Sequence, residues 1–145
     1  MSTDKNKALL RRLFEEGLNQ NKPSVFDELI APNFVIYDSP LGTLRGPEGF
    51  RHLVETFRKA FPDIHVTFEQ EFADGDYVIH RGYTTATHKG EFQGIPPTGK
   101  QVKVNTLDIW HVANGKAVEN WVQMDLLGLM QQLGAVPAPQ QHAHS

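Results

Sequence analysis

The apolar residues of this chain change their repeat at Pro62, and that change limits the fold more than any single motif. Before Pro62 they recur at helical spacing; after it they alternate. Leu9, Leu10, Leu13, Phe14 and Leu18 predict a helix from about Asp4 to Gln20, with Ser2, Thr3 and Asp4 as cap candidates. Asn19 to Pro23 stop it. Val25, Phe26, Leu29 and Ile30 predict a second, short helix closed by Pro32, and Ser24 with Asp27 imitates a capping box. A third opens at Arg45-Gly46-Pro47, where proline suits the first helical position. Phe50, Leu53, Val54, Phe57 and Phe61 line one side of it. Phe34 to Tyr37 is a short strand between the second and third helices.

After Pro62, Ile64, Val66, Phe68 and Phe72 alternate with His65, Thr67, Glu69 and Glu71. Asp74-Gly75-Asp76 is a hairpin turn. Tyr77 to His88, Val102 to Val112 and Ala117 to Met124 follow as strands, separated by a Gly/Pro loop from Gly90 to Lys100 and by Asn114-Gly115. Leu126, Leu127, Leu129, Met130 and Leu133 suit a terminal helix, ended by Gly134 and Pro137. The expected class is α+β: helices on one face of a long antiparallel meander. One domain is expected over residues 1–137, with 138–145 as a loose tail. A strongly curved sheet around these helices would leave a concave mouth suited to small molecules.

Composition removes several function classes. The 145 residues include no cysteine, which excludes disulfides, zinc–thiolate sites and cysteine nucleophiles. A formal charge of -3 argues against nucleic acid as the main partner. Nothing approaches the roughly 18 consecutive apolar residues of a membrane span. Met1 to Lys7 lacks the apolar segment of a secretory signal, so a cytoplasmic location is expected. Five histidines (His52, His65, His80, His88, His111) stand on separate elements without ligand spacing, and His142 and His144 fall in the tail. No metal is therefore expected, and neither phosphate-loop glycines nor a serine-nucleophile elbow is present.

Two residues stand out as chemistry. Asp125 ends a predicted strand on a shared face with Glu119, Trp121 and Gln123. At the edge of an apolar pocket such a carboxylate would become a stronger base. The alternative is an N-cap for the terminal helix, because Asp before an apolar run caps well. His111 ends the preceding strand and could carry a proton or donate to an enolate oxygen. Whether it shares a face with Asp125 depends on the hairpin. A two-residue Asn114-Gly115 turn pairs Ala113 with Lys116 and separates them; a three-residue loop pairs Val112 with Lys116 and unites them. Asp38 before Ser39-Pro40 is a turn former first and a candidate base second. Phe14, Phe50, Phe57 and Phe61 are core residues, some of which could also line a cavity.

The stretch Thr87-His88-Lys89-Gly90-Glu91-Phe92-Gln93-Gly94-Ile95-Pro96-Pro97-Thr98-Gly99-Lys100 resembles the signature loop of the SnoaL-like polyketide cyclases, also labelled ester cyclases. So do Asn114 to Trp121, Asp125, and Leu127 to Gly134, which extends the resemblance from about Lys7 to Gly134. It implies the cone-shaped nuclear transport factor 2-like (cystatin-like) fold, a pocket inside the cone, and frequent homodimers or higher homo-oligomers. It further implies general acid/base catalysis by an acid at the Asp125 position, with His111 beside it, in an intramolecular aldol closure without metal or cofactor. The three-residue loop follows from that placement. Tyr37 departs from the histidine usual in relatives and would reshape the pocket wall.

The expected function is therefore a cofactor-independent cyclase or isomerase. Asp125 and His111 are its expected catalytic pair, and Phe14, Tyr37, Leu107 and Trp121 are the expected contacts to a small apolar carbonyl compound. A non-catalytic ligand-binding or dimerisation module is the rival. An epoxide hydrolase or dehydratase is a third possibility, with Arg81, Asp108 and Asp125 as the residue types for an Asp-Arg-Asp set.

Overall fold

The computed structural model describes residues 3–137. The 138–145 segment, expected to be a loose tail, lies outside the described residues, as do Ser2, His142 and His144. The described residues form four α-helices: α1 (Thr3–Arg12), α2 (Ser24–Leu29), α3 (Gly46–Ala60) and α4 (Leu126–Leu133). Six strands form one sheet: β1 (Ile30–Ser39), β2 (Gly42–Arg45), β3 (His65–Asp74), β4 (Tyr77–Thr87), β5 (Gln101–Ala113) and β6 (Lys116–Met124). Their order is β2-β1-β6-β5-β4-β3. Neighbours are antiparallel except β1 and β6, which run parallel. The sheet is therefore mixed rather than a pure antiparallel meander, because β1 returns beside the last strand of the chain.

Several local expectations shift. The first helix is α-helical only to Arg12 and continues as a π-helix from Leu13 to Asn19. Its C-terminal end is held from outside: Asn19 pairs with the Val66 backbone through both its amide groups, and Arg58 donates to the Leu18 carbonyl. Ser24 makes no capping bond, and Asp27 turns to Arg51 instead. The second helix ends at Leu29, and Ile30 opens β1, which carries Pro32 where the β1–β6 register is irregular. A proline is tolerated there because no ladder donor is required. Strand β2 was not expected from the pattern.

The helices cover one face of the sheet. Phe50, Val54 and Phe57 of α3 and Leu10, Leu13 and Phe14 from the N-terminal helix join Phe34, Ile36, Val104, Trp110 and Val122 in one core. Trp110 is fully buried, stacked on Phe34 at 6.0 Å and met edge-on by Phe14 and Phe50. The loop from Gly90 to Lys100 is pinned by buried His88, whose Nδ1 accepts from the Thr98 amide at 3.2 Å. Gly90 presses on helix α3: a Cβ there would lie 2.2 Å from the Lys59 carbonyl oxygen. The signature loop is thus an anchor between sheet and helix. Among the described residues no helix is long and apolar enough to cross a membrane.

Candidate functional site

A cavity of about 80 Å³ opens between the helices and the inner face of the sheet. One water needs roughly 10–15 Å³ by this kind of measure, so the space admits several waters or part of a small ligand. Phe14 and Leu18 of the π-helix, Phe50, Val54 and Phe57 of α3, and Ile36, Trp110 and Val122 of the sheet form its walls. Pro40, Leu53 and Met124 are only half-buried and mark the mouth. A smaller apolar pocket, about 20 Å³, adjoins it and shares Phe57, Ile64, Thr84 and Met124.

Four polar side chains line this apolar space: Asp108, Asn120, Thr84 and Thr106. Asn120 donates through Nδ2 to the Ile109 carbonyl at 3.0 Å, while its Oδ1 is buried without a partner. Asp108 is 8% exposed, and its Oδ1 is buried without a hydrogen-bond partner. Burial alone pushes its carboxyl up to about 7, since no cation or donor offsets the loss of hydration. A carboxyl balanced near neutrality can both remove and return a proton, and strongly shifted groups cluster at functional sites. Its position follows from alternation in β5, where Val102, Val104, Asp108, Trp110 and Val112 are buried while Leu107 and Ile109 are exposed.

The expected catalytic pair, Asp125 and His111, does not line this cavity. Asp125 is exposed and caps α4: its Oδ1 accepts from the Gly128 amide at 2.9 Å. A Cβ at Gly128 would strike that carboxylate at 2.2 Å, so the glycine admits the cap. Around Asp125 is a shallow outer groove with Arg81, Asn105, Leu107 and Gln123. His111 also faces outward. Its Nδ1 is 2.9 Å from Glu119 Oε1, and its ring stacks on Tyr77 at 4.7 Å.

The contacts expected for a ligand divide as well. Phe14 lines the cavity. Tyr37 and Trp121 stack on each other at 5.3 Å outside it, and the Tyr37 hydroxyl donates to Glu119 at 3.1 Å. That bond, with some desolvation, raises the Tyr37 phenol pKa. Leu107 is 46% exposed on the same outer face. His111, Tyr37 and Trp121 are therefore brought together, but around Glu119 and behind the cavity. The Asp-Arg-Asp set is split by the sheet, with Asp108 inside and Arg81 and Asp125 outside. Asp38, expected in a turn, is exposed at φ 58° within β1, where the pairing with β2 is irregular between Ile36 and Ser39.

The hairpin explains the reversal. Asn114-Gly115 is a two-residue turn pairing Ala113 with Lys116, yet the register slips between His111 and Val112, so that His111 faces Glu119. One extra residue in β6 restores the parity that the turn alone would have broken. His111, Glu119, Trp121 and Gln123 thus do share a face, and it is the wrong one for the cavity. Sequence reasoning passed over Asp108 as a base because the mixed residues of β5 gave no sign of which face was concave.

The sequence profile of the SnoaL-like polyketide cyclases matches residues 8–133. No curated protein gives a significant match. Among solved structures, the chain is similar to AclR from Streptomyces galilaeus, provisionally named a hydroxylase, with 30% identity and a TM-score of 0.85 over 97% of this chain and 87% of that one. IdmH from Streptomyces antibioticus, provisionally named a polyketide cyclase, is 32% identical with a TM-score of 0.78, over 89% and 98% of the two chains. A SnoaL-like polyketide cyclase, also provisionally named, from Jannaschia sp. CCS1 is 27% identical with a TM-score of 0.83, over 93% and 95%.

Proposed function

The chain belongs to the SnoaL-like polyketide cyclase family, and on that premise we propose that it is a cyclase- or isomerase-type enzyme whose general acid/base is Asp108. The observation that carries this reading is a lone carboxyl, buried in an aromatic cavity and held near neutrality by desolvation. The chemistry it favours is proton exchange with carbon or oxygen next to a carbonyl. As a carboxylate, Asp108 removes a proton from the carbon beside a carbonyl. The enolate carbon then bonds to a second carbonyl of the same molecule, and Asp108 returns its proton to the new alkoxide. The hydroxyls of Thr84 and Thr106 line the same space and can donate to the developing oxyanion. The apolar walls exclude water, which strengthens each of these contacts.

The guest is a small, flat, largely apolar carbonyl compound, matched to walls of Phe14, Phe50, Phe57 and Trp110. A multi-ring guest would require movement at the mouth, since pockets for such molecules measure roughly 300–1,000 Å³. A homo-oligomer, which the family resemblance implies, would cover the outer face, where Tyr77, Leu107 and Ile109 are exposed. The deciding experiment compares wild type with Asp108→Asn on a panel of small diketones and aryl ketones, followed by product analysis. Loss of conversion with retained ligand binding supports the reading. Retention without conversion by the wild type would favour a binding module.

A further inference from the structure

His80 stands beside Asp108. The two are cross-strand partners in β4 and β5, on the buried face of the sheet. His80 is 1% exposed and is packed between the Phe68 ring, stacked at 3.8 Å, and the edge of Phe14 at 6.0 Å. Its Nε2 lies 3.0 Å from Glu71 Oε2. Glu71 in turn accepts from Arg11 Nε at 2.6 Å, which holds the carboxylate in place. A carboxylate that accepts from Arg11 accepts from the ring as well, so Nε2 carries the ring hydrogen and Nδ1 carries the lone pair.

That lone pair has no partner. His80 Nδ1 and Asp108 Oδ1 are both buried and both unsatisfied, on residues that face each other across one strand pair. Two acceptors cannot satisfy one another, which is the situation while Asp108 is ionised. A carboxylic acid, however, has one hydrogen to give, and a neutral imidazole nitrogen is a good acceptor for it. We propose that His80 is a positioning residue for Asp108: Glu71 fixes the ring in its Nε2–H tautomer, and Nδ1 accepts, directly or across one water, the hydrogen of protonated Asp108. This inference rests on the reading of Asp108 as the acid/base group.

The surroundings suit it. Burial lowers the His80 pKa to about 4 against the opposing pull of Glu71, so the ring stays neutral while Asp108 titrates. The ionisable neighbours of His80 are Glu71 from β3, Arg11 from α1 through Glu71, and Asp108 from β5. From α3 and β6 the cavity is walled by Phe50, Val54, Phe57 and Val122, with Asn120, whose Oδ1 is also buried without a partner, as the polar side chain among them. His80 then adds to burial in favouring the acid form of Asp108 and fixes which carboxyl oxygen holds the proton. The other oxygen is left to the guest.

The test uses the ligand-free protein. Nitrogen-15 spectra of His80 should show protonated Nε2 and bare Nδ1 between about pH 5 and 8. The Nδ1–H tautomer in wild type would overturn the proposal without any variant. Carbon-13 titration of the Asp108 carboxyl then separates two substitutions. His80→Gln keeps a donor for Glu71 but removes the Nδ1 acceptor, and the Asp108 midpoint should fall by about one pH unit, the equivalent of one hydrogen bond. His80→Asn keeps an acceptor near Nδ1 and should leave the midpoint close to wild type. An unmoved midpoint in His80→Gln would sink the positioning role even if Asp108→Asn abolishes turnover. Full turnover in Asp108→Asn would instead remove the catalytic reading, whatever the titration shows.

Discussion

Asp108 and His111 lie on one strand, β5, and face opposite sides of the sheet. The inward residue is an unpaired acid in an aromatic cavity. The outward residue is a ring stacked on Tyr77 and bonded to Glu119. Only the first is placed to meet an enclosed guest.

Asp108→Asn should reduce turnover by about 10²–10⁴ in steady-state assays, the usual effect of removing one acid/base group. Asp125→Ala should leave kcat unchanged within experimental error. It removes the bond to the Gly128 amide and should cost about 0.5–2 kcal/mol in urea unfolding. The opposite pattern would return the chemistry to Asp125.

Turnover should also depend on pH through the same group. If Asp108 acts first as a base, kcat/KM should rise with pH to a plateau, with a midpoint near the value of about 7 that burial imposes. Asp108→Asn should show only residual, pH-flat activity. A midpoint near 4, that of an ordinary carboxylate, would contradict burial as the controlling factor.

Stability should carry the opposite signature. The folded pKa of Asp108 is raised, so the folded state binds the proton more tightly than the unfolded chain between pH 3.8 and about 7. Stability from this group is therefore full below the unfolded value and is lost as pH rises through the folded one. His80 has its folded value lowered to about 4 from 6.5, so its contribution is lost as pH falls through that window. The two oppose each other, and wild-type stability should vary little across it. Asp108→Asn should be stabilised above pH 7, by on the order of 4 kcal/mol at most. It should weaken on acidification, as thermal melts at several pH values would show.

Gly90→Ala separates anchoring from chemistry. The new methyl would meet the Lys59 carbonyl at 2.2 Å, so loop or helix must shift, at about 1–3 kcal/mol. Activity per folded molecule at low temperature should stay near wild type, because Gly90 does not line the cavity. A loss of kcat out of proportion to the stability change would place the loop in catalysis.

On the outer face, Leu107→Glu with Ile109→Glu should lower the assembly state measured by light scattering, if copies associate there. Both side chains point away from Asp108, so ligand binding in the cavity should persist. An unchanged mass would show that this face is not the contact.

The strands and helices were legible because period and punctuation are local. The apolar repeat before Pro62, the alternation after it and the turns at Gly75 and Asn114-Gly115 each depend on a few neighbouring residues. The π-helical turn was not legible, since its end is fixed by Asn19 and Arg58 contacts reaching residues about forty positions away or more along the chain. Strand β2 was missed for a similar reason: it exists by pairing with β1.

By itself the sequence determined the order of elements, the family resemblance and the short list of carboxylates and histidines from which a site could be built. Tertiary structure alone decided which of them faces the cavity. Alternation states that neighbours lie on opposite faces but not which face a helix will cover. One bulge between Ala117 and Glu119 reverses the answer for half a strand. Placement of α3 and the π-helix over the Asp108–Trp110 side makes it dry, and dryness is what turns an ordinary carboxyl into one that titrates near neutrality.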